Sequence, residues 1–177
     1  MKYKILLASS LAFLAVPVLS TAALPRLTSG QNVTTTAKAT VTTRRFSINY
    51  PDHWIVTDNR NDYVVIYNQQ PPATGGGEAP PYMIKTDISI QPISLREALR
   101  IYEDEPERVK RVEEVTINGR LGVRIWEESE GWDFPNSLIT YIPVSHSEVA
   151  SVVSFYGAEN QAAERAIIQM HNTFKLF

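Results

Sequence analysis

Apolar and polar side chains begin to alternate at Phe46, and the period of that alternation decides most of the chain that follows. Phe46, Ile48 and Tyr50 are separated by Ser47 and Asn49, the period-two pattern of a strand with one buried face, and Pro51-Asp52 ends it. Trp54 and Val56 then supply apolar bulk for the edge of a core. Tyr63 to Tyr67 reads Tyr-Val-Val-Ile-Tyr, β-branched and aromatic without a polar break, as in a central strand covered on both faces. From Asn68 to Pro81 the composition shifts to Gln, Pro and Gly, including Gly75-Gly76-Gly77, which predicts a mobile loop. No Gly-Lys-Ser/Thr follows it, so it is not a phosphate cradle.

Alternation resumes from Met83 to Gln91, with Ile84, Thr86, Ile88 and Ile90 on one side. Ser94 and Glu97 form a capping box ahead of Leu95, Ala98, Leu99 and Tyr102, which predicts a short amphipathic helix that Pro106 prevents from continuing. Val109–Ile117 and Leu121–Glu128 flank Asn118-Gly119, a pair suited to the two positive-φ positions of a type I′ turn. Two more strands are expected at Leu138–Pro143 and Glu148–Tyr156. Ala163, Ala166, Ile167, Met170 and Phe174 make one stripe of a final helix. Strands at hairpin spacing with two helices give an α+β fold, a mainly antiparallel sheet sandwiched by helices.

The chain ahead of Phe46 has a different texture. Lys2 and Lys4 precede an apolar run from Ile5 to Leu19, and Ser20-Thr21-Ala22 and Thr21-Ala22-Ala23 supply the small residues of a processing site, so residues 1–22 read as a secretory signal peptide cleaved after Ala22. An uncleaved anchor is the alternative, since Ile5 to Leu24 approaches the roughly 20 residues that span a bilayer. Without a twin arginine the expected route is the general secretory one, delivering the protein to a periplasm or a thylakoid lumen with no membrane span after cleavage. Residues 23–43 are rich in Thr and carry only basic charge, with little apolar bulk to bury. They read as a flexible arm, a linker or a docking segment, with an end suited to a strand. The folded domain is expected from 44 to 177.

Composition removes several kinds of function. The 177 residues hold no cysteine, which excludes disulfides, thiolate nucleophiles, Cys-ligated metals and an acylated lipoprotein cysteine. With 17 Lys+Arg against 19 Asp+Glu, the net charge of -2 gives no field to concentrate nucleic acid.

The candidate chemistry is sparse. His53 beside Asp52, with Asp58 and Asp62 nearby, has the ligand types of a divalent-metal site but no fixed ligand spacing. Glu127, Glu128, Glu130 and Asp133 offer oxygens for calcium, although strand alternation sends Glu127 and Glu128 to opposite faces. A divalent ion such as calcium is thus the one cofactor these residues could hold, and the expectation is that there is none. His146 and His171 would each need a serine and a carboxylate to work as a hydrolase, and no nucleophile elbow is present, so the expectation is a non-enzyme. Trp132 and Phe134 in a turn are natural anchors for a partner, and Arg44 and Arg45 are candidate contacts at the end of the arm.

The segment Phe46-Ser-Ile-Asn-Tyr-Pro-Asp-His-Trp54 resembles the opening strand of the PsbP/Mog-type α/β sandwich, with its aromatic–x–apolar–x–Tyr–Pro–x–x–Trp pattern. The resemblance continues through Ile117-Asn118-Gly119 with Gly122, and through Asn172-Thr173-Phe174-Lys175 at the end of the last helix. It implies a non-enzymatic accessory protein docked to a protein partner at a membrane surface. PsbP proteins are extrinsic subunits on the lumenal side of photosystem II that help to retain calcium and chloride, and the Mog branch binds the small GTPase Ran. A leader fits the secreted branches. A small-ligand or lipid carrier with a cavity between sheet and helices is the alternative, and a secreted hydrolase comes third.

Overall fold

Alternation along Phe46–Pro51 produces the strand it predicts, with Phe46 and Ile48 wholly inaccessible to solvent. In the computed structural model, which describes residues 38–72, 79–80, 82–128, 134–157 and 161–177, this strand is β2. It lies between β1 (Lys38–Thr42) and β10 (Lys175–Leu176) in a three-stranded antiparallel sheet. Residues 1–22, read from the sequence as a signal peptide, and most of the stretch read as an arm fall outside the described residues, as does the centre of the Gly-rich segment. Lys38–Thr42 is the strand the arm's end was suited to form: Thr residues favour extended backbone, and Val41 alone of the five is buried.

The larger sheet has seven strands, all paired antiparallel, in the order β3-β4-β5-β9-β8-β7-β6. They are β3 (Ile55–Arg60), β4 (Tyr63–Tyr67), β5 (Ile84–Gln91), β6 (Val109–Ile117), β7 (Arg120–Glu128), β8 (Asn136–Pro143) and β9 (Val149–Tyr156). The period-two expectation holds in detail on β5, where Ile84, Thr86 and Ile88 are all buried. The β6–β7 turn has Asn118 at φ 48 and Gly119 at φ 80, as a type I′ turn requires.

Each face of this sheet carries its own cover. Helix α1 (Leu95–Asp104) starts at Ser94, whose hydroxyl accepts the Glu97 amide at 3.1 Å. It buries Ala98 against Ile125, Ile139, Tyr141 and Val149. On the opposite face, helix α2 (Gln161–His171) and the small sheet share one core. In it Ile167, Met170 and Phe174 meet Phe46, Ile48, Ile66 and Ile88, each full burial contributing about 1.5–3 kcal/mol. The fold is α+β as expected, but the second cover is a helix plus a separate sheet rather than a helix alone.

Gly122 fixes how closely β7 approaches β8. A Cβ there would lie 2.5 Å from the Tyr141 carbonyl oxygen. Because that contact is backbone, neither neighbour can rotate away. Gly122→Ala is expected to lower stability by about 1–3 kcal/mol, read from the urea midpoint; an unchanged midpoint would show that the strands separate freely. Among the described residues no helix is long and apolar enough to cross a membrane.

Candidate functional site: an open groove and a sealed histidine

The segment Tyr50-Pro51-Asp52-His53-Trp54 leaves β2 and turns beneath α2, leaving a groove of about 210 Å³. Tyr50, Pro51 and Trp54 form one apolar wall, and Ala166 and Met170 of α2 form the other. Polar groups stand at its margins: Lys38 at the start of β1, His53, and the amides of Asn49 and Gln169. One end of the groove is closed by hydrogen bonds. The Thr173 hydroxyl accepts the Asn49 amide at 2.9 Å and lies 2.7 Å from the Met170 carbonyl, so β2 and the end of α2 are held in fixed register.

Between α2 and the seven-stranded sheet lies a second polar cluster, this one closed to solvent except at Asn172. The His171 ring is fully buried, with Nδ1 2.9 Å from Thr140 Oγ1 and Nε2 2.9 Å from Ser154 Oγ. Ser154 Oγ lies 2.7 Å from Thr86 Oγ1. Arg124 Nε donates to Thr140 Oγ1 at 3.2 Å, and its Nη2 donates to Asn172 Oδ1 at 2.7 Å.

A guanidinium only donates, so Thr140 Oγ1 accepts from Arg124. Where Thr140 gives its own proton to His171 Nδ1, the ring is the Nε2–H tautomer and donates to Ser154, whose proton then goes to Thr86. Burial, assisted by the Arg124 charge, holds the His171 pKa well below its ordinary value, so the ring is neutral at pH 7. A histidine and a serine at 2.9 Å have the spacing of a nucleophile and its base. Here, however, Thr140 and Ser154 take both ring nitrogens, no carboxylate is among the ring's hydrogen-bond partners, and Ser154 is wholly inaccessible in the middle of β9.

The residues singled out from the sequence are scattered. His53 is exposed, its Nδ1 3.7 Å from Asp52 Oδ1. Asp58 binds Arg60 at 2.6 Å, and Asp62 lies 3.8 Å from Arg45 Nε. Among the described residues no group of three His, Cys, Asp or Glu side chains comes together to hold a metal, so Asp52 and His53 remain a pair. Glu127 and Glu128 point to opposite sides as alternation requires: Ser137 donates to Glu127 at 2.7 Å, while Lys110 binds Glu128 at 2.6 Å.

Arg45, partly exposed, forms a bidentate pair with Glu148 at 3.0 and 2.9 Å, which clips the β1–β2 turn to the loop before β9. Arg44, its neighbour, is exposed. Phe134 is half-buried with its ring 6.2 Å from that of Phe155. Trp132 lies outside the described residues, with Glu130 and Asp133. Sequence reasoning missed the groove as a whole, because its two walls are more than a hundred residues apart. The Tyr-Pro-x-x-Trp spacing was the one local signal at this place.

No family model matches the chain, and no curated protein matches it. Solved structures do. Cyanobacterial PsbP, CyanoP, from Synechocystis aligns over 85% of this chain and 99% of its own, with a TM-score of 0.53 and 9% identity. The fold is the PsbP/Mog-type sandwich. A Mog1 structure aligns over 79% of this chain and 96% of its own, at a TM-score of 0.44 and 12% identity. A Bacteroides thetaiotaomicron protein aligns over 75% of this chain at a TM-score of 0.47 and 15% identity, and the chain spans 45% of that protein's length. At 9% identity, what CyanoP shares with this chain is the architecture. The Phe46 to Trp54 segment that suggested it supplies both the buried strand β2 and one wall of the groove.

Proposed function

We propose that this chain is an exported, PsbP-like accessory protein without catalytic activity, which docks through its surface to a membrane-associated protein partner in a periplasm or thylakoid lumen. The observation that carries this reading is the separation of reactive from accessible groups. The histidine with hydroxyl partners, His171, is sealed, and the exposed histidines His53 and His146 have no serine–carboxylate arrangement around them. The leader read from residues 1–22 and the likeness to cyanobacterial PsbP support the same reading, and in a photosynthetic host photosystem II is the partner to test first. A carrier of lipids or drug-sized ligands fits less well: such pockets are apolar and enclose roughly 300–1,000 Å³, whereas the apolar groove encloses about 210 Å³ and the larger hollows beside Arg44 and Arg60 and beside Arg96 and Glu97 are lined by polar and charged side chains.

Affinity isolation from detergent-solubilised membranes of the source organism, in native salt, tests this proposal. The expected result is co-recovery of one membrane complex in stoichiometric amount. Recovery of none would overturn the docking role, and labelling of Ser154 by a serine-directed probe would overturn the non-catalytic one.

A further inference from the structure

The groove between β2 and α2 has the size and charge of a receptor for one kind of segment. At about 210 Å³ it admits one or two side chains of a larger molecule. Its open apolar surface comes from Tyr50, Pro51 and Ala166, with Trp54 and Met170 buried behind them, and an aromatic side chain such as Tyr50 offers area that grips a large apolar side chain. The Asn49–Thr173 bonds hold the walls apart before anything binds, so little ordering is lost on binding.

The margin has a sign. Lys38 and His53 border the groove, and no Asp or Glu lines it. Asp52, the nearest acid in sequence, faces His53. Lys38 is exposed and pairs with no carboxylate among the described residues. In a chain of net charge -2, a groove whose charged lining residue is a lysine departs from the average surface.

We propose that this groove binds an extended peptide segment of a partner protein, in which one large apolar side chain enters between Tyr50 and Ala166 while a neighbouring Asp or Glu pairs with Lys38. The inference rests on the docking role above and names the surface and the chemistry of its partner.

Panning a random peptide display library against the full exported chain tests it, with two variants as controls. Ala166→Trp fills the groove from a half-exposed position on α2, and Lys38→Glu reverses the margin at an exposed strand end where the fold is not at risk. Enriched peptides are expected to place an acid within a few residues of Leu, Phe or Trp. They are expected to lose more than about tenfold in affinity for Ala166→Trp, and about two- to fivefold for Lys38→Glu, an effect absent in their Asn/Gln counterparts. No enrichment, enrichment without acids, or undiminished binding to Ala166→Trp overturns the proposal. The membrane isolation, repeated with Ala166→Trp, separates the two claims. Equal recovery of a complex by wild type and variant leaves docking standing and refutes the groove. Groove-dependent peptides with no membrane complex refute the docking role and leave the groove.

Discussion

Between pH 7.5 and pH 5 the free energy of unfolding is expected to fall by about 2 kcal/mol through His171 alone. In the folded protein its ring is neutral and its pKa lies well below 6.5. In the unfolded chain it takes up a proton as the pH drops through about 6.5. The unfolded state therefore binds more protons across this window, and stability present above pH 6.5 drains away as the pH falls. Arg124 on β7 is the charged group facing the ring, while β5, β8 and β9 present Thr86, Thr140 and Ser154. The Glu148 carboxylate, held below its ordinary 4.5 by Arg45, adds its own loss only at lower pH. His171→Leu is expected to cost about 2–4 kcal/mol at pH 7.5, since it strands the Thr140 and Ser154 hydroxyls in the core. It should also flatten the curve down to pH 5. Urea titrations at four pH values read both quantities, and a variant that keeps the wild-type slope would remove His171 as its source.

That histidine also marks the limit of what the sequence made legible. Elements whose own residues alternate or cluster were readable: β2, β4, β5, the Asn118-Gly119 hairpin and both helices. The β3 strand was not, because Thr57, Asp58, Asn59 and Arg60 carry no apolar period and the strand is an edge with an irregularity between Val56 and Asp58. The two-residue β10 exists only because β2 is there to pair with it. His171 falls on the buried side of α2 between Ile167 and Phe174, yet periodicity says nothing about which hydroxyls oppose it. Thr86, Thr140 and Ser154 read as strand residues, and their convergence on one ring is a product of sheet order. The site followed the same rule. Tyr50 and Trp54 were visible as a motif, but Met170 and Ala166 read as an inward stripe, and the gap between these two sets forms only when α2 is laid against β2.

Phe174→Ala is expected to cost about 3–5 kcal/mol, a large share of the stability of a domain this size. The ring is almost wholly buried, 5.4 Å from that of Phe46, at the point where α2 gives way to β10. Its backbone is tied as firmly: the Phe174 amide donates to the His171 carbonyl at 3.1 Å, and its carbonyl accepts from Asn118 Nδ2 at 2.5 Å. One residue thus anchors three parts: its ring packs on Phe46 of the small sheet, and its backbone holds the end of α2 and the hairpin turn. Phe177, three residues on, is 66% exposed, although its amide donates to the Arg45 carbonyl at 2.9 Å. Phe177→Ala keeps that bond and should change stability by no more than about 0.5 kcal/mol. Because Phe46 and Phe174 share one contact, the double alanine variant should cost less than the two single losses added together. Equal midpoints for Phe174→Ala and Phe177→Ala would show that the last strand is peripheral. A large difference, with faster amide exchange at Ser47 and Leu176 in Phe174→Ala, would show that the same anchor holds β2 against α2 and so keeps the groove's walls at their fixed separation.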